Sequence, residues 1–113
     1  MPDRVVRVGI LTSDPVNRLS AGAEVFYRRL MNVVDDYGRF DGRPSVLRAG
    51  LYPLRLSNVS EPDIVKWIRE TEEAGLVRGY VVEGKPYVNI TKFNQRLRAK
   101  RSKWPNPPSH DSR

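Results

Sequence analysis

The residues in this 113-residue chain best placed to do chemistry are its cations. Arg96, Arg98, Lys100, Arg101 and Lys103 fall within eight positions, and Trp104 follows directly. Cations in such a run neutralise phosphates and release condensed counterions, and a neighbouring indole stacks on a base when the partner is single-stranded. They supply affinity with little sequence choice, because phosphate contacts position a protein and base contacts specify. A second set is sparser. Lys66 and Arg69 point outward from one helix, with arginine suited to guanine in the major groove. Arg78 and Lys85 lie on a hairpin, Lys85 at its turn. Arg43 and Arg48 bracket the start of a helix at Pro44, where free N–H groups and the helix dipole favour a phosphate.

Each candidate has a plainer reading. Lys66–Glu70 and Arg69–Glu73 have the i, i+4 spacing of surface ion pairs. Arg39 and Arg43 have Asp35, Asp36 and Asp41 within reach as salt-bridge partners. Trp104 has two other fates, folding back onto the domain or meeting a protein partner. The helix that carries Lys66 and Arg69 holds five acidic residues against two basic ones. Carboxylates repel phosphates, so its net charge argues against lying on DNA.

Enzymatic readings are poor. The chain has no cysteine and one histidine, His110, near its end. No GxxxxGK[ST] phosphate loop is present. Asp35, Asp36 and Asp41 are better explained by capping and ion pairing than by a metal. The expectation is a protein with no catalytic activity, no cofactor and no metal.

The elements that must position these cations are legible from periodicity and punctuation. Residues 60–90 organise the chain. Ser60 is an N-cap, Pro62 fits a first turn, and Glu61 and Asp63 put negative charge at the positive end of the dipole. Ile64, Trp67, Ile68, Thr71 and Gly75 share one face, and Gly75 stops the helix. The period then changes. Val77, Tyr80, Val81 and Val82, then Tyr87, Val88 and Ile90, are strand residues, joined through Glu83-Gly84-Lys85. Upstream, residues 20–36 form an amphipathic helix capped by Ser20, with Ala23, Phe26, Tyr27, Leu30, Val33 and Val34 inward and Gly38 at its end. Arg39-Phe40 is extended, and Asp41-Gly42 turns. A second helix runs from Pro44 to about Tyr52, with Val46, Leu47, Leu51 and Leu54 inward and Pro53 as its stop. The order is helix, short strand, helix, helix, strand, turn, strand. That is the order of a winged helix-turn-helix domain, an α+β fold of three helices and a β-hairpin wing.

Three regions follow: an apolar N-terminal arm, 1–19, with Val5, Val6, Val8, Ile10 and Leu11; the winged-helix domain, 20–91; and a C-terminal tail, 92–113. Residues 1–91 hold 13 basic and 12 acidic side chains, and residues 92–113 hold seven and one, so the tail carries +6 of the +7 net charge. Such asymmetry suggests a polyanionic partner. Within the tail, Phe93 and Leu97 have the spacing of a short docked helix. Pro105, Pro107 and Pro108 favour an extended chain, expected to be disordered in isolation from about residue 104 onward. No apolar run of about 18 residues marks a membrane span, and the N-terminus lacks the features of a signal peptide. The absence of cysteine suits a reducing cytoplasm.

Four stretches carry a resemblance to known proteins: ILTSDPVNRLSAGAEVFYRRL, DDYGRFDGRPSVLRAGLYPL, EEAGLVRGYVVEGKPYVNI and the tail around QRLRAKRSKWPNPP. Across roughly residues 4–108 the chain resembles phage replication proteins, the replisome organisers and primosome proteins whose N-terminal part is a winged helix of DnaD-like architecture. Its most specific piece is Asp36-Tyr37-Gly38-Arg39-Phe40 followed by Arg43-Pro44. The resemblance implies DNA binding, recruitment of replication machinery at a phage or prophage origin, and no reaction of its own. Family members commonly continue into a second domain, and this chain stops. Two alternatives stay open: a winged helix for protein contacts, self-associating through its N-terminal arm or docking a helicase or loader, and a winged-helix transcription regulator.

Overall fold

The computed structural model describes residues 14–91 and 104–107. The N-terminal aliphatic run, the short helix expected at Phe93 and Leu97, and the cations at 96, 98, 100, 101 and 103 lie outside the described residues. The architecture is α+β, with four helices and one three-stranded antiparallel sheet in the described part. In chain order these are α1 (Asp14–Asn17), α2 (Ala21–Val33), β1 (Arg39–Asp41), α3 (Pro44–Leu51), α4 (Glu61–Glu73), β2 (Val77–Val82) and β3 (Lys85–Ile90). The expected arm therefore ends in a helical turn, α1, which tucks Val16 into the core.

α2 starts where Ser20 accepts a hydrogen bond from the Ala23 N–H, and it buries Ala23, Phe26, Tyr27 and Leu30. It ends earlier than its apolar stripe suggests. Val34 is already extended (φ −64°, ψ 157°) and packs into the core from outside the helix. The Asp35 carboxylate then accepts from the N–H groups of Tyr37 and Arg39, which turns the chain. Gly38, at φ 80°, belongs to that turn and is not the helix cap. α3 begins at Pro44 and buries Leu47 and Leu51. Leu54, expected inward, is 95% exposed, because the chain leaves the helix after Leu51 and Tyr52 takes the buried place.

α4 has a capping box. Ser60 accepts from the Asp63 N–H, and the Asp63 carboxylate accepts from the Ser60 N–H. Both reciprocal partners are local, so the signal is readable in sequence. At the other end Gly75 (φ 77°) makes a Schellman motif: its N–H donates to the Glu72 carbonyl at 3.0 Å, and the Leu76 N–H to the Thr71 carbonyl at 2.9 Å. Ile64 and Thr71 face the core, and the Thr71 hydroxyl donates back to the carbonyls of Trp67 and Ile68.

β2 and β3 pair from Val77↔Ile90 to Val82↔Lys85. Glu83 (φ 53°) and Gly84 (φ 79°) form the two-residue turn between them. Positive φ at both positions is the type I′ geometry whose twist matches the strands. β1 adds to the other edge of β3, giving the order β1-β3-β2. The core lies between the helices and one face of the sheet, where Phe26, Leu30, Val34, Leu47, Ile64 and Val88 are fully buried. Full burial of such side chains contributes roughly 1.5–3 kcal/mol each.

The other face of the sheet is covered too. The alternation of a strand puts Arg39, Tyr80, Tyr87, Asn89 and Arg78 on it. Residues 104–107, expected to be disordered, lie against Arg39, Tyr80 and Tyr87.

Candidate nucleic-acid interface

The charge of α4 reads differently once its partners are known. Of its five carboxylates, three accept hydrogen bonds from the backbone. Asp63 closes the local capping box. Glu72 accepts from the Gly79 N–H at 2.9 Å and so ties α4 to β2. Glu70 accepts from both the N–H (3.1 Å) and the hydroxyl (3.0 Å) of Ser20. The third position of α2 is Ala23, which has no side chain able to reach back to its cap. Glu70, from another helix, takes the role that a glutamate at that position plays in a capping box. The Lys66–Glu70 pairing suggested by spacing is thereby replaced by a contact that joins two helices.

What remains on the outside of α4 is Pro62, Val65, Lys66 and Arg69, with Glu61 at the start and Glu73 at the end. Lys66 and Arg69 are exposed. Behind this face the helix is held rigidly. Trp67 packs against Phe26 (6.3 Å between ring centroids) and Tyr52 (5.8 Å). A Cβ on Gly22 of α2 would stand 2.7 Å from the Trp67 indole nitrogen, so the close approach of α2 and α4 requires glycine there. Arg29 braces the opposite side, donating to the Leu51 carbonyl at 2.6 Å and lying 4.7 Å over the Tyr52 ring.

The other candidates fall into three places. Arg43 and Lys85 both place positive charge toward Asp41. The Arg43 guanidinium grips the Asp41 carboxylate (2.8 Å), and the same carboxylate accepts from the Arg43 N–H. Hydrogen bonds from Arg43 hold the Asp41 carboxyl below its ordinary range, with a further contribution from the charge of Lys85. Arg43 is thus in the salt bridge that its spacing suggested, and its side chain remains 60% exposed. Lys85 is exposed at the hairpin turn.

Arg48 has a structural task. It donates to the carbonyls of Leu56 and Val59 and fastens the connection between α3 and α4. Arg78 lies half-buried on β2, in the row Arg39–Asn89–Arg78 across the outer sheet face.

Trp104 is packed on the protein. Its ring meets Phe40 edge-on at 5.6 Å and Tyr87 at 6.2 Å. Arg39 was expected to pair with an aspartate. Its guanidinium instead donates to the Asn106 side-chain oxygen at 2.7 Å and the Trp104 carbonyl at 3.5 Å, while its backbone N–H goes to Asp35. The Tyr80 hydroxyl donates to the Pro105 carbonyl at 2.7 Å. Burial pushes the Tyr80 phenol up to about 12, partly offset by the charge of Arg39.

Sequence reasoning missed the linking role of Glu70 and Glu72 and the recruitment of Tyr80, Tyr87 and Phe40 by the chain end. A legible signal existed for the second. Tyr80 and Tyr87 alternate outward on paired strands, and Trp104 in the tail is followed by prolines.

Among the described residues no group of three or more metal-binding side chains converges, and no helix is long and apolar enough to cross a membrane. Comparison with protein-family models, curated proteins and solved structures found no match.

Proposed function

We propose that this chain is a DNA-binding winged-helix protein acting in phage-type replication initiation, in the cytoplasm of a bacterial or phage-infected cell. In this reading α3 and α4 are the helix-turn-helix, α4 enters the major groove, and the β2–β3 hairpin is the wing. The observation that carries it is the outer face of α4. Asp63, Glu70 and Glu72 accept from backbone N–H groups, which leaves Lys66 and Arg69 beside Pro62 and Val65, with Glu61 and Glu73 at the two ends of the helix. The element order and the two-residue turn beneath Lys85 support the wing. The replication role rests on the sequence resemblance. The basic run at 96–103 adds salt-dependent, sequence-tolerant affinity. The protein binds and recruits, and carries out no reaction of its own.

Fluorescence anisotropy with labelled duplex and single-stranded DNA at two salt concentrations tests this. The double variant Lys66→Ala/Arg69→Ala should lose about tenfold or more in duplex affinity, at roughly 1–3 kcal/mol per base contact. Failure of the parent chain to bind any duplex or single strand at low salt ends the proposal.

A second reading, a winged helix for protein contacts, is favoured by Leu54 and Leu56 (40% exposed) on the α3–α4 connection and by Val65 (41%) on α4. Its partners would be a helicase or loader, or a second copy. Light scattering at strict monomer mass, with no capture by a replicative helicase or its loader, counts against it.

A further inference from the structure

The outer sheet face holds its own chain end in the manner of a peptide reader. Tyr80 and Tyr87 stack across the strands at 5.5 Å, and Phe40 adds a third ring at the β1 edge. Trp104 meets Phe40 and Tyr87. Two backbone carbonyls of the segment accept from side chains of the sheet: Pro105 from the Tyr80 hydroxyl and Trp104 from Arg39. Arg39 also takes the Asn106 side chain. The prolines at 105 and 107 have no N–H to leave unsatisfied, and the segment has no regular secondary structure. Rings that receive an aromatic side chain, with donors aimed at the carbonyls of an extended segment, are how grooves recognise proline-containing peptides.

We infer that the outer sheet face of Arg39, Tyr80 and Tyr87, with Phe40 reaching it round the β1 edge from the helix side, is a recognition site for an extended aromatic-Pro-x-Pro peptide on a partner protein. The chain's own Trp104–Pro107 is its resident occupant, and its contacts define the ligand chemistry. The site lies on the β2–β3 hairpin that the DNA reading uses as its wing, away from α4, and its test reads peptide binding, so its failure is distinguishable from failure of DNA binding. A partner segment competes with an intramolecular occupant, so its apparent affinity is set by how often that occupant is off.

The test uses the full-length Trp104→Ala chain and a synthetic peptide, SKWPNPPS, followed by NMR. Saturable shifts of the Tyr80, Tyr87 and Phe40 rings are expected, with binding at least about tenfold weaker to the parent chain, where the resident segment competes. Adding Tyr80→Phe to the Trp104→Ala chain removes one donor and should weaken the peptide severalfold. If Trp104→Ala does not fold, Asn106→Ala, which loses one contact to Arg39, serves as the receptor. No saturable shift at millimolar peptide in a folded receptor, or shifts confined to other surfaces, overturns the inference. Peptide-independent dimerisation that accounts for all the shifts overturns the partner assignment in favour of exchange between copies.

Discussion

At the scale of single residues, Glu70 shows how far a side chain's role departs from its sequence neighbourhood. Its spacing from Lys66 suggests a surface ion pair worth a few tenths of a kcal/mol. Its position gives it two donors from Ser20, fifty residues away in sequence. Ser20→Ala and Glu70→Ala are each expected to lower stability by about 1 kcal/mol, the usual cost of a lost helix cap. The double variant should cost less than the sum, because both delete one network. Urea unfolding of the four proteins checks this, and strict additivity would refute the shared cap. The same contact turns the Glu70 carboxylate toward α2.

At the scale of elements, the local devices are strong and two of them are improvable or fragile in predictable ways. Glu83 holds φ 53° in the hairpin turn, a conformation that asparagine accepts far more readily. Glu83→Asn makes the Asn-Gly pair preferred in type I′ turns and should raise stability by about 0.5 kcal/mol in thermal unfolding, with the strand register unchanged. Gly22→Ala tests the opposite case. Alanine favours a helix, yet its Cβ would collide with the Trp67 indole. Overpacking of this kind costs about 1–3 kcal/mol, more than the roughly 1 kcal/mol that helix propensity returns. A net loss of stability, with a change in tryptophan emission, is expected from denaturant titration. An increase would mean that α2 and α4 are not in close contact there.

At the scale of the whole molecule, the sheet is a middle layer, with helices on one face and residues 104–107 on the other. Tyr80 is only 6% exposed. Its phenol, displaced by burial from the ordinary 10.0 to about 12, reports on that cover. A raised phenol pKa favours folding while the group is neutral. Its contribution is complete below about pH 10, and is lost as pH rises through about 12. Alkaline titration of phenolate absorbance should therefore show a late tyrosine in the parent chain. In Trp104→Ala the same group should move back toward 10.0, if the chain end supplies the burial. An unchanged late titration would place the cause within the sheet itself.

By itself the sequence determined the punctuation and the types of the elements. Ser60 with Asp63, Gly75, and Glu83-Gly84 act through hydrogen bonds and dihedral preferences spanning a few residues, so they are readable one stretch at a time. The strand at Arg39-Phe40 and the inward stripes of α2 and α4 follow from periodicity for the same reason. Tertiary structure alone decided which charges meet solvent and where Trp104 goes. Arg48 is drawn to loop carbonyls, Glu70 to Ser20, Arg39 to Asn106 and Tyr80 to Pro105. Leu54 is left in water because Tyr52 closes the core first. These outcomes depend on which groups burial leaves in need of partners, and packing brings those partners from distant parts of the chain.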